Sequence, residues 1–195
     1  VGQFVEENFY NLGVGDHPVQ ALNRAARHDP TFRDVGRKEV TFRDSDAFEV
    51  LASQVIPKIL DGKGVNDSVR IWVPACATGE EAYSLAILLR EYMTHRKIRF
   101  QVQVFGTDLD PQAIEVARKA IYPAGIANDV TPERLNRFFI KEDSTYRVKK
   151  DVRDLVIFAP HNLLADPPFT KLDLLSCRNL LIYLEARTQR RLFPL

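Results

Sequence analysis

Four short, nearly continuous apolar runs constrain this chain more than any other feature: "RIWVPA", "IRFQVQVFGTD", "DLVIFAP" and "KLDLLSC". Runs of that length, rich in Val, Ile, Phe and Leu, read as strands, and the last two as strands covered on both faces. In the second run Val102, Val104 and Phe100 fall on one side, with Gln101 and Gln103 on the other. Between the runs lie stretches of helical period. "EEAYSLAILLREYM" is an amphipathic helix with a wide apolar face, and "PQAIEVARKAI" is another, with Pro111 at its first position. Strands that alternate with helices close into a parallel sheet, because each parallel crossover needs room for an intervening helix. The expected class is therefore α/β, a parallel sheet flanked by helices.

The remaining elements follow from caps and turns. Ser45 caps a helix over "DAFEVLASQVIPKIL", where Phe48, Leu51, Val55 and Leu60 keep helical spacing until "DGKGVND" breaks it. Thr131 caps a helix over "TPERLNRFF", with Glu133 in its first turn. "FIKEDSTYRV" reads as a hairpin that turns at Glu142, Asp143 and Ser144, a small insertion spanning about residues 138–150. Ahead of these, "VEENFYNLG", closed by Gly13, and "HPVQALNRAARHD" suggest a helical segment over residues 1–40, which leaves 41–195 as the principal domain. "EARTQRRLFPL" is a last helix. No strand follows it to protect the edge beside "KLDLLSC", so the sheet is expected to be cut short at its C-terminal end.

Composition excludes several classes. The 195 residues carry a net charge of +1, which gives no broad attraction to nucleic acid or anionic membranes, and the cations around Arg24 and Arg27 read as a solvated face. Cys76 and Cys177 stand far apart and outside any C-x-x-C pattern, so neither a disulfide framework nor a metal site is expected, and a reducing cytoplasm is. No leader pattern is read at Val1, and no apolar run approaches the roughly 18 residues of a membrane span.

In open parallel sheets, ligands sit beyond the carboxyl ends of the strands. Four such ends gather polar groups here: "ACATGEEAYS", "GTDLD", "APHNLL" and "SCRNLLIY". The first has a single glycine, Gly79, with Ala75 and Ala77 as small neighbours, and it runs into Glu80 and Glu81 at a helix start. Two acids there repel phosphate, and neither a three-glycine fingerprint nor a Walker lysine is present. A cationic ligand fits better, and S-adenosylmethionine, with its sulfonium and ammonium, meets that description. Asp108 is placed to accept both ribose hydroxyls, with Asp110 serving as the helix cap before Pro111. Asn162 offers amide groups, and a carboxylate such as Glu80 near the sulfonium or ammonium is electrostatically favourable. "DPPF" at 166–169 reads as a turn and not as the segment that nucleic acid methyltransferases use on flipped bases.

"RIWVPACATGEEAYSLAILL", "VFGTDLDPQAIEVARKAIY", "VIFAPHNLLADPPF" and "LDLLSCRNLLIYLEARTQRRL" together resemble the chemotaxis receptor methyltransferases of the CheR type, most closely the form fused with methylesterase and sensor domains. The resemblance implies a Rossmann-like methyltransferase fold that uses S-adenosylmethionine to esterify glutamate side chains on the cytoplasmic helices of chemoreceptor-type partners. It implies cofactor binding by Glu80, Asp108, Asn162 and Leu163, alongside the small loop positions Ala75 and Gly79, with Arg178 and Asn179 lining the same pocket. Arg43, in the shortened segment "VTFRD", and Tyr183 stand near the transferred methyl. His161 and Cys177 are read as structural. Two further readings stay open: a binding module without turnover, and a methyltransferase for another protein or a small molecule.

Overall fold

The structure, a computed structural model, describes residues 9–10, 45–60, 62–64, 67–177, 180 and 187. The chain opens with a short strand, β1 (Phe9–Tyr10). Two helical pieces follow, α1 (Ser45–Val50) and α2 (Ile56–Leu60), joined by a π-helical turn over Leu51–Val55. That turn has a local cause. Pro57 lacks an N–H, and its ring would meet the carbonyl four residues back in a regular helix. The wider turn, closed by the Ile56 N–H donating to the Leu51 carbonyl, precedes Pro57 without breaking the helix's course. Leu51, Val55 and Leu60 are buried as their spacing requires.

The main sheet contains β2 (Ser68–Pro74), β3 (Gln101–Asp108), β7 (Val156–Pro160) and β8 (Leu174–Ser176), all parallel, in the order β1-β8-β2-β3-β7. The edge beside β8 is not bare: β1 pairs with it antiparallel, Phe9 opposite Ser176 and Tyr10 opposite Leu175. Residues 9–10 are thus strand where a helix over "VEENFYNLG" is expected. The pairing partner lies more than 160 positions away, beyond the reach of local periodicity.

Alternation along the strands splits the interior in two. Ile71, Val73, Val104 and Leu174 join a large core with α3 (Glu80–Arg96) and α4 (Pro111–Lys119), whereas Trp72, Phe105 and Leu175 join a smaller cluster with Leu164, Leu172 and Cys177. The helix α3 is less one-sided than its pattern suggests, with an unbroken buried run from Glu81 to Leu89. Its first turns lie against the sheet, and Tyr83 donates to the Ala117 carbonyl of α4 at 3.0 Å. Strand β7 is covered less than its apolar run implies. Ile157 is 47% exposed, while Phe158 on the other face is buried.

A smaller antiparallel sheet contains β4 (Ile121–Pro123), β5 (Phe139–Glu142) and β6 (Thr145–Val148), in the order β4-β6-β5. The expected hairpin is its β5–β6 pair, with Asp143 at φ 44° in the turn, and β4 adds a third strand. Between β4 and β5 lie a 3-10 turn over Ala124–Asn128 and α5 (Pro132–Phe138), capped by Thr131. After the hairpin, the short α6 (Lys150–Arg153) leads into β7. At the outer strand, the Arg118 guanidinium of α4 donates twice to the Phe158 carbonyl, at 2.9 and 3.3 Å.

Phe158 fixes how closely these layers approach. Its ring lies against Gly79 and Gly106, where an added Cβ would come to 2.8 Å and 2.5 Å of ring carbons. Gly106→Ala should therefore cost about 1–3 kcal/mol in urea unfolding, the usual range for overpacking. Combining it with Phe158→Leu should cost less than the two changes summed; strict additivity would show that the ring is not what excludes a Cβ.

Candidate functional site

All four parallel strands end on one edge of the sheet, and their ends are physically joined. The Cys76 N–H, just past β2, donates to the Thr107 carbonyl of β3 at 2.9 Å, and the His161 N–H, past β7, donates to the Asp108 carbonyl at 2.8 Å. The Ser176 hydroxyl at the end of β8 donates to Glu81 in the first turn of α3 at 2.5 Å. Glu81 is 9% exposed, so a charge-assisted hydrogen bond meets a carboxylate that water hardly reaches. On the other face, the Trp72 indole N–H donates to the Thr107 hydroxyl at 2.9 Å. Its ring meets His161 edge-on at 5.4 Å and Phe169 at 5.2 Å.

The loop from Ala75 to Gly79 is held in an uncommon shape. Ala75, Ala77 and Gly79 have φ of 52°, 47° and 90°, in the left-handed region. For alanine that region costs roughly 1–2 kcal/mol per residue, so outside bonds must hold it. Gly79 relieves the strain at its own position and opens α3, with its N–H donating to the Cys76 carbonyl at 2.8 Å. Gly79 is itself buried, so its small size serves packing against Ala117 and Phe158.

Asp108 is the hub of this edge. One carboxylate oxygen accepts the Ala77 N–H at 2.8 Å, and the other accepts the Asp110 N–H at 2.9 Å. The expectation that Asp110 caps α4 holds, since its side chain accepts from the Gln112 N–H at 2.8 Å. With Asp110 as the cap, the Asp108 carboxylate is left to clamp the loop to the strand. Each oxygen has a second lone pair, so the group still has capacity for hydroxyl donors. Both Glu80 oxygens lie 2.7 Å from the Thr78 hydroxyl, a shared donation that ties the carboxylate to the loop.

Asn162 and Leu163 occupy the turn after β7. The Asn162 side-chain oxygen accepts the Leu164 N–H at 3.0 Å, and its backbone N–H donates to Asp166 at 2.7 Å, so the side-chain carbonyl shapes its own turn. Leu163 packs against the Trp72 cluster. The structure thus gathers Ala75, Gly79, Glu80, Asp108, Asn162 and Leu163 on one edge; Arg43, Arg178, Asn179 and Tyr183 lie outside the described residues.

Burial pushes the Cys76 thiol well above its ordinary pKa, with Asp108, Glu81 and Glu80 raising it further, and burial beside Glu81 does the same for Cys177. Both are buried free thiols, unsuited to nucleophilic work at neutral pH. Among the described residues no cluster of three or more His, Cys, Asp or Glu side chains is arranged for a metal, and no helix is long and apolar enough to cross a membrane. Sequence reasoning placed Thr78 and Ser176 within the strand-end segments without a role for either, and it did not place Tyr122 at this edge. Tyr122 and Ser176 act across 44 and 95 positions, and spacing carries no signal at that range.

The model for the CheR methyltransferase SAM binding domain matches residues 38–194. An uncharacterized 104.1 kDa protein of Rhodobacter capsulatus is 40% identical over 150 residues, which cover 77% of this chain and 16% of that protein. The chemotaxis protein methyltransferase of Borreliella burgdorferi is 33% identical over 157 residues, 77% of this chain and 55% of the relative. That of Escherichia coli is 33% identical over 167 residues, 79% and 54%. The chain spans about half the length of these two methyltransferases. An acid-lined loop at the carboxyl edge of a parallel sheet and the match over residues 38–194 agree: the chain belongs to the CheR methyltransferase family and carries its S-adenosylmethionine-binding domain.

Proposed function

We propose that this domain binds S-adenosylmethionine across the carboxyl ends of β2, β3, β7 and β8 and directs its methyl group to glutamate side chains of chemoreceptor-type cytoplasmic helices, forming glutamyl methyl esters. The observation that carries the reading is the acid-lined loop, with Glu80 at the start of α3 and Asp108 bonded to Ala77 in the same loop. These carboxylate acceptors suit a cation and two hydroxyls far better than a phosphate.

Asp108 would take the ribose hydroxyls on its second lone pairs, and Glu80 would face the cationic amino acid end. The backbone around Ala75 and Gly79, with Asn162 and Leu163, would shape the rest of the pocket, together with Arg178 and Asn179. Bound S-adenosylmethionine supplies a methyl on a positively charged sulfur, whose transfer to an oxygen leaves a neutral thioether. A glutamate carboxylate is already anionic at neutral pH, so the chain needs no general base and its task is alignment. Arg43 would hold that carboxylate through a charged fork, and Tyr183 would orient it. The cytoplasm, where such receptor helices stand, is the place of action.

Two variants test this. Asp108→Ala should weaken S-adenosylhomocysteine binding by about a hundredfold in calorimetric titration, from the loss of two hydrogen bonds to a charged acceptor. Unchanged affinity would remove Asp108, and with it the ligand assignment. Arg43→Ala should keep that affinity and lose at least about a hundredfold in methyl transfer to a receptor fragment. Equal loss of binding and transfer would move Arg43 into the cofactor pocket, transfer at the unaltered rate would remove it from the transfer step, and binding without transfer by the unaltered protein would favour a module without turnover.

A further inference from the structure

Tyr122 lies on β4 of the small sheet, yet its hydroxyl donates to the Thr78 carbonyl in the cofactor loop at 2.9 Å. We propose that Tyr122 is a positioning residue for that loop. Its phenol fixes the Thr78 peptide and, through the Thr78 hydroxyl, the Glu80 carboxylate that receives the amino acid end of the ligand. The inference rests on the cofactor assignment above and adds a residue to it.

A buried phenol needs an acceptor somewhere, and Tyr122 is only 4% exposed. What distinguishes this acceptor is its place. Thr78 stands between Ala77, whose N–H is held by Asp108, and Gly79, whose φ of 90° starts α3. Bonds from β3 hold the loop at Cys76 and Ala77, through Thr107 and Asp108. The bond from Tyr122, on a strand of the other sheet, holds the next residue, and that residue carries the hydroxyl 2.7 Å from both Glu80 oxygens.

The small sheet makes Tyr122 a rigid anchor. Tyr122 pairs with Tyr146 and Ile121 with Arg147, while the Val148 N–H donates to the Ala120 carbonyl at 2.9 Å. The ring rests edge-on against Tyr83, centroids 6.3 Å apart, and Tyr83 rests in turn on Phe158. Desolvation by burial, and then the Glu80 charge, raise the pKa of the phenol further above its ordinary value. Because an alanine at positive φ stores strain, a loop deprived of one tether drifts toward an unstrained path and takes Glu80 with it.

The test is a double-mutant cycle read by calorimetric titration with S-adenosylhomocysteine, using the unaltered protein, Tyr122→Phe, Glu80→Gln and the double variant. Tyr122→Phe keeps the ring and its packing and should weaken binding about tenfold. The double variant should bind no more weakly than Glu80→Gln alone, because both changes disable one element. Unchanged binding by Tyr122→Phe overturns the proposal. So do losses that multiply in the double variant, which would make Tyr122 a support of the fold at large, a role its melting temperature would show independently. A flat titration of the unaltered, folded protein overturns the cofactor assignment itself, and this proposal with it.

Discussion

The approach of α3 to the sheet is the constraint on which the rest depends. At Gly79 and Gly106 the ring of Phe158 lies where a Cβ would stand, and this close contact sets the height of the helix start above β3. From that height follow the reach of the Ala77 N–H to Asp108, the meeting of Glu81 with Ser176 and the left-handed turns at Ala75 and Ala77. A domain with bulkier residues at either glycine would have to lift the helix and lose several of these bonds together. In many nucleotide-binding sheets a glycine admits the ligand's phosphate. Here Gly79 admits an aromatic ring from β7 of the same sheet.

The acids at the helix start then have distinct roles. Glu81 is buried and tied to β8, a strand-to-helix strut, while Glu80 accepts from the Thr78 hydroxyl in the loop itself. Both gain from the positive end of the α3 dipole, which is worth up to about 1 kcal/mol for an exposed carboxylate in the first turn. Their field reaches inward as well. Together with Asp108 it acts with burial to keep the Cys76 thiol protonated, so a cysteine beside the site stays chemically quiet. The charges that we propose receive a cationic ligand thus also keep a neighbouring thiol protonated.

Much of this was legible in the sequence because it is encoded locally. The four apolar runs are strands, Asp110 and Thr131 are caps, and the turn at Asp143 closes a hairpin, each set by a few adjacent residues. The relation of Glu80 and Asp108 to one loop also followed from strand-end logic. What could not be read was set by distant partners. Phe9 and Tyr10 are extended because β8 offers an edge, overriding a helical pattern. The clamp of Asp108 on the loop depends on a backbone donor at Ala77, 31 positions away. The partner of Tyr122 depends on how the small sheet docks, which no periodicity describes.

The guanidinium of Arg118 gives the main sheet a finite width. A strand seeking to add beside β7 would have to displace a charged group that already holds the Phe158 carbonyl with two N–H bonds. It would then meet Pro160, which offers no N–H at all. Exposed Ile157 makes that edge attractive to apolar chains, so this defence has something to guard against. Association by strand addition is steered away from β7, and a partner at that side must approach through side chains.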